Sequence, residues 1–160
     1  MEQRDKAALA YKKARNNLLV MTILTVVNMV LMLTNLSINF SFSASTPQIV
    51  LAFSIFVFEN LLGGIIISVI IIGLFLLCWH MSKKNNGWLI AALVLFSIDT
   101  LILLLFALDI ADTSFLFEIA FHAWVLYYLI TGVKAGAKLK NITEADGFGM
   151  MDMSGDDGEA

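Results

Sequence analysis

The sequence predicts an all-α fold: an integral membrane four-helix bundle with both termini on the cytoplasmic side and a short interfacial helix between helices one and two. Three observations predict it. The 160 residues are 59% hydrophobic, with a mean hydropathy of +0.86, more apolar surface than a water-facing globule carries. The apolar residues gather into stretches long enough to cross a hydrocarbon core of ~30 Å at ~1.5 Å per residue. All ten Lys and Arg residues fall in three places: Arg4, Lys6, Lys12, Lys13 and Arg15; Lys83 and Lys84; and Lys134, Lys138 and Lys140. Basic residues accumulate in short cytoplasmic segments, and four crossings put all three clusters on one side only when both ends lie there.

Residues 1–17 read as a cytoplasmic amphipathic segment of helix-favouring residues that feeds the first span. Helix one covers 18–36 and is apolar except for Thr22, Thr25, Asn28, Thr34 and Asn35. Opening only near Leu18, that run reads as a retained helix and not as a cleaved leader. The uncharged, serine-rich stretch 37–47 reads as an extracytoplasmic loop or shallow interfacial segment, and Ser45-Thr46 before Pro47 makes a helix start in which a hydroxyl caps free N–H groups. Residues 49–79 would overshoot the bilayer as one straight helix. Glu59-Asn60 and Gly63-Gly64 interrupt them, so an interfacial or tilted helix is expected over 47–58, a bend over 59–64 and helix two over 61–81, with a single steeply tilted helix as the alternative.

A polar turn over 82–87 leads into helix three at 88–108. A second turn over 109–114 offers Asp109, Asp112 and Thr113 as caps for helix four at 115–133, which can extend to 139. Residues 18–139 thus form a single transmembrane domain, and the Gly-, Asp- and Met-rich residues 140–160 are expected to be a flexible cytoplasmic tail. Trp79, Trp88, Tyr127 and Tyr128 fall toward the cytoplasmic half, where amphipathic rings anchor a bundle.

Ionisable residues inside a span are the natural candidates for chemistry, because hydrocarbon offers them no water. Asp99 lies eleven residues beyond Trp88, ~16 Å along the helix and near the bilayer midplane. Glu118 and His122 share a face of helix four at i and i+4. Packing helices three and four as an antiparallel hairpin brings Asp99 and His122 to similar depth, with Asn28 at a matching depth on helix one. Asp99, Glu118, His122 and Asn28 therefore form a candidate intramembrane polar network, able to relay protons, hold a divalent cation or orient a polar substrate. The plainer alternative is that they only bond the helices together, with Asp99 protonated or bonded to Asn28 or Thr100. Glu59 is a weaker candidate, placed either to line a cavity at the break or simply to sit among headgroups. Gly132 and Gly136 make a small-xxx-small pair that admits a close helix.

Other classes find little purchase. A net charge of −3 without a basic stripe points to no nucleic acid. Cys78 is the single cysteine, so there is neither an intrachain disulfide nor a cysteine metal motif. No dinucleotide, phosphate-loop, zinc-protease or serine-hydrolase pattern occurs, and no cofactor or catalytic residue is implied.

The segments Ala14-Arg15-Asn16-Asn17-Leu18-Leu19, Phe42-Ser43-Ala44, 92–100 (Ala92 to Thr100) and 121–128 (Phe121 to Tyr128) resemble an uncharacterised family of small bacterial four-helix integral membrane proteins. The resemblance covers most of residues 12–140. It implies a bacterial inner-membrane setting and brings no activity with it.

Three functions are compatible with these features. The first is a non-enzymatic membrane component or assembly subunit, whose partners are the lipid bilayer and a second copy or another membrane protein. The second is a small oligomeric transporter or channel subunit with an Asp/Glu/His proton or cation path. The third, an intramembrane enzyme acting on a lipid, lacks a nucleophile or phosphate-binding pattern.

Overall fold

The computed structural model describes residues 2–34, 43–110 and 114–152, and the side chains of 2–34, 43–106 and 116–143. The described residues form five helices and no strand: α1 (Glu2–Leu33), α2 (Thr46–Phe56), α3 (Leu61–Met81), α4 (Gly87–Ile110) and α5 (Ser114–Asp152). Four of them are long and apolar enough to cross a membrane, over Glu2–Leu33, Leu61–Met81, Gly87–Phe106 and Leu116–Thr143. The loop over 37–42 and the caps expected at Asp109, Asp112 and Thr113 fall outside the described side chains.

α1 is unbroken from Glu2, so the polar leading segment and the apolar one after it are a single helix. Its Ala, Lys, Arg and Leu residues all favour helix, and neither Gly nor Pro interrupts them. α5 likewise runs on to Asp152, through residues expected as a flexible tail. Lys, Ala, Glu and Met carry the helix there beyond the apolar span; residues 153–160 lie outside the described residues.

Narrow stripes hold the helices together. Among the described side chains, the buried positions of α4 are Leu89, Ala92, Phe96, Asp99 and Leu103, and those of α5 include His122, Val125, Leu129, Gly132 and Gly136. Steps alternating between three and four residues are the spacing of left-handed helix packing. The remaining surface is apolar: Ile66, Val69, Ile70, Leu101 and Leu105 are all more than half exposed. Meanwhile Thr22, Thr25, Asn28, Ser68, Asp99 and His122 are buried. Polar groups inside and aliphatic groups outside invert the water-soluble pattern.

One end of the bundle gathers the three basic clusters. The Tyr11 hydroxyl donates to the Ser82 carbonyl at 2.7 Å, Arg15 Nε donates to Ser82 Oγ at 2.9 Å, and Asn86 Nδ2 donates to the Val133 carbonyl at 3.1 Å. α1 and α5 approach closely because Gly132 faces Ala14 with no room for a side chain between them. The Gly132–Gly136 pair thus serves contacts within the chain.

At the opposite end the break between α2 and α3 turns at Glu59, whose φ is 50°, a left-handed conformation uncommon for a residue with a side chain. Asn60 caps α3 by accepting from the Gly63 N–H at 3.0 Å. α2 packs antiparallel on the first half of α3. Gly64 lies against Ser54, and Ser68 Oγ donates to the Pro47 carbonyl at 2.8 Å. The amino end of α2 is therefore level with the middle of the bundle, and its carboxyl end is level with the start of α3.

Candidate functional site: a buried Asp–His pair at the amino end of α2

The first turn of any helix leaves backbone N–H groups without partners. In α2 these groups point into the bundle. Ser45 is its N-cap residue, but neither it nor Thr46 supplies the hydroxyl cap expected from the sequence; no side-chain cap bond is made from Ser45. The cap comes instead from α4: Asp99 Oδ1 accepts from the Thr46 N–H at 2.6 Å, and Oδ2 from the Ser45 N–H at 3.2 Å. A carboxylate at this position also faces the positive end of the helix dipole. It can do what a hydroxyl cannot, because it brings two acceptor oxygens and a full charge into a low-dielectric interior.

Asp99 has a third partner. His122 Nε2 lies 3.0 Å from Asp99 Oδ2, with the two side chains 0% and 2% exposed. The other ring nitrogen, Nδ1, is 2.8 Å from the Glu118 carbonyl. A carbonyl only accepts, so Nδ1 carries a hydrogen. Nε2 faces Asp99 Oδ2, so the imidazole bridges the Glu118 carbonyl of its own helix and the carboxyl group that caps α2. Phe96, one turn before Asp99, stacks on the imidazole at 4.9 Å and 12° and covers one face of that ring.

The segment leading into α2 is fastened from the other side by α1. Thr25 Oγ1 accepts from the Ala44 N–H at 2.8 Å, and Asn28 Nδ2 donates to Ser43 Oγ at 2.8 Å. Ser43 Oγ also accepts from Gln48 Nε2 at 2.7 Å. Residues 43–46 thus run between a hydroxyl-amide ladder on α1 and the Asp99–His122 pair across α4 and α5, and Ser43, Ala44 and Ser45 are all buried.

Asp99 and His122 are therefore in direct contact. Asn28 joins the same assembly through Ser43, while Thr100 bonds its own helix at the Phe96 carbonyl. Glu118 contributes its backbone carbonyl to His122, and its side chain is half-buried. Glu59 is exposed at the α2–α3 break, away from this assembly. Sequence reasoning placed Ser45 and Thr46 at a helix start but joined neither them nor Ser43, Thr25 and Phe96 to this assembly. A signal existed for two of them, since Thr25 and Phe96 each precede a polar candidate by three residues and so share its face.

Beside Asp99 a cavity of about 180 Å³ opens between α3 and α4, lined by Thr46 and by aliphatic and aromatic side chains such as Ile71, Phe75 and Ile102. Thr46 Oγ1 is buried without a hydrogen-bond partner. Among the described residues, no three His, Cys, Asp or Glu side chains gather as a metal site would require.

No protein-family model matches this chain, and neither a curated protein nor a solved structure matches it.

Proposed function

We propose that the chain is a non-enzymatic, multi-pass component of a bacterial cytoplasmic membrane, with both termini cytoplasmic and α2 re-entering the bilayer from the outer side. In this reading the Asp99–His122 pair is a structural clasp that holds the amino end of α2 at mid-membrane. The four long apolar helices, the aliphatic exterior and the gathering of all basic clusters at one end support the membrane reading and its orientation. Backbone that stops being helical at membrane depth is tolerated only where protein satisfies its polar groups, and Asp99 and Thr25 accept from its N–H groups here.

One observation carries the clasp reading. Both oxygens of Asp99 and both ring nitrogens of His122 are engaged by the chain itself, behind the Phe96 ring. A proton or cation path needs polar groups left open to water, whereas the space that touches Asp99 is walled mostly by hydrocarbon. The transport reading retains the unpartnered Thr46 hydroxyl beside that space.

The test compares Asp99→Asn and His122→Gln with the parent chain, in detergent unfolding and in proteoliposome flux. Either substitution is expected to lower stability by about 3 kcal/mol, the usual consequence of leaving half of a buried pair, while the parent chain moves no protons or monovalent cations above empty vesicles. A pH-driven flux in the parent chain that Asp99→Asn abolishes would replace the clasp reading with the transport one.

A further inference from the structure

At the end of the bundle opposite the basic clusters, a crevice of about 480 Å³ opens among α2, α3 and α4. Its volume lies within the ~300–1,000 Å³ of small-ligand sites. Ile49 and Phe53 line it from α2, Asn60 and Ile67 from the start of α3, and Phe106 from α4, where its ring meets that of Phe53 edge to face at 5.8 Å. Apart from Asn60 and Ser54, its side chains are hydrocarbon. Asn60 and Ile67 are seven residues apart, so the crevice extends ~10 Å along α3. On the membrane reading above, from which this step takes its depth, Asn60 stands at the outer headgroup level, and the aliphatic and aromatic walls lie below it.

The rim is polar and acidic. Asn60 Oδ1 accepts from the Gly63 N–H, and the side chain is exposed, so its Nδ2 is left with two N–H donors that have no partner among the described residues. Glu59, next to it, is exposed and makes no ion pair among the described residues. Its φ of 50° is a conformation that Gly or Asn adopts more readily, so the backbone does not account for a carboxylate at this position. Charge at this end is of one sign. Residues 16–82 hold no Lys or Arg, and the other connection at this end holds Asp109 and Asp112. An anionic headgroup is repelled there and a cationic one attracted.

The shape of the crevice selects among occupants. Spread over its length, the volume gives a cross-section of roughly 50 Å², which admits an extended hydrocarbon chain and is too narrow to seat a helix ~10–12 Å across. A cation, a hydrogen-bond acceptor and an apolar chain, in that order from the surface inward, match what the walls offer. We propose that the crevice binds a phospholipid with a primary-amine headgroup, of the phosphatidylethanolamine type. Its ammonium pairs with Glu59, its glycerophosphate oxygens accept from Asn60 Nδ2, and one acyl chain lies along Phe53, Ile67 and Phe106. The apolar wall supplies affinity, and the two rim residues supply the choice of headgroup.

The full chain in a nonionic detergent provides the test, with thermal unfolding followed as lipids of one acyl composition are added. Phosphatidylethanolamine is expected to raise the midpoint saturably, and phosphatidylglycerol and soluble phosphoethanolamine at equal concentration are not. Glu59→Gln should weaken phosphatidylethanolamine binding about fivefold, the upper range for an exposed ion pair, and remove its preference over phosphatidylglycerol. Ile67→Trp fills the crevice and should abolish the shift. Ile66→Trp adds the same bulk at an exposed neighbour outside the crevice and should leave the shift unchanged. Equal shifts with phosphatidylethanolamine and phosphatidylglycerol overturn the headgroup assignment. A shift that survives Ile67→Trp, or is lost equally in Ile66→Trp, overturns the crevice, and no saturable shift with phosphatidylethanolamine overturns the whole proposal. A shift with phosphoethanolamine alone makes it a soluble-amine site and overturns the lipid. All of these variants retain Asp99 and His122, so failure here leaves the clasp standing, and failure of the clasp in its own unfolding and flux test leaves the expected order of lipids unchanged.

Discussion

Asp99 shows how far a single side chain can act from its own helix. It sits on α4, yet it completes the first turn of α2, fifty-three residues earlier in the chain, and bonds the ring of His122 on α5. Each hydrogen bond to a charged group contributes about 1.5–3 kcal/mol, and the alternative for these N–H groups in hydrocarbon is no partner at all. Thr46 offers the opposite case within the same turn. Its hydroxyl is buried and unpartnered, so it bears a desolvation cost of about 1–3 kcal/mol with nothing in return. Thr46→Val keeps the shape and removes the hydroxyl, while the Thr46 N–H to Asp99 is untouched. The substitution should therefore be neutral or raise stability by about 1 kcal/mol in detergent unfolding. A loss of similar size would mean that the hydroxyl has a partner in solution. The meeting of Asp99 and His122 was legible because depth along a helix follows from residue count and an antiparallel hairpin equalises it. The cap was not, since a carboxylate supplied from another helix leaves no mark near Ser45, where local chemistry points to a hydroxyl.

Glycine placement decides which helices come close. Gly132 meets Ala14 across the α1–α5 contact, whereas nothing lies within 4 Å of where a Cβ on Gly73 would point. The two are therefore opposite tests of the same chemistry. Gly132→Val must force α1 and α5 apart and should cost about 1–3 kcal/mol, the usual range for overpacking. Gly73→Ala lies on an exposed face and should be neutral or gain up to ~1 kcal/mol from helix propensity. Equal effects in thermal unfolding would show that α1–α5 contact is not limited by Gly132. The existence of four long apolar helices was legible from composition and run length, which hydrocarbon thickness constrains tightly. The partner of Gly132 was not, because a small residue says that something approaches but not what. The break before α3 lay between these extremes: Glu59-Asn60 interrupts the apolar run visibly, while the left-handed backbone at Glu59 does not follow from its residue type.

For the molecule as a whole, the arrangement of charge and the arrangement of helices make a joint demand. Tyr11, Arg15, Ser82, Asn86 and Val133 tie α1, the α3–α4 turn and α5 together at one end, and the Glu59-Asn60 break lies at the other because α3 runs its full length between them. Residues 59 and 84 must then face opposite compartments if α3 crosses the bilayer. Cys78, the one native thiol, is 3% exposed, and replacing it with serine leaves a background for placing single thiols. In that background Glu59→Cys and Lys84→Cys both lie at exposed positions. In intact cells a membrane-impermeant maleimide should label Glu59→Cys and should reach Lys84→Cys only after permeabilisation. The reversed pattern would overturn the cytoplasmic placement of the basic clusters while leaving the bundle intact. Labelling of both from outside would instead mean that α3 does not cross, and with it the aliphatic exterior of the bundle would need some cover other than lipid.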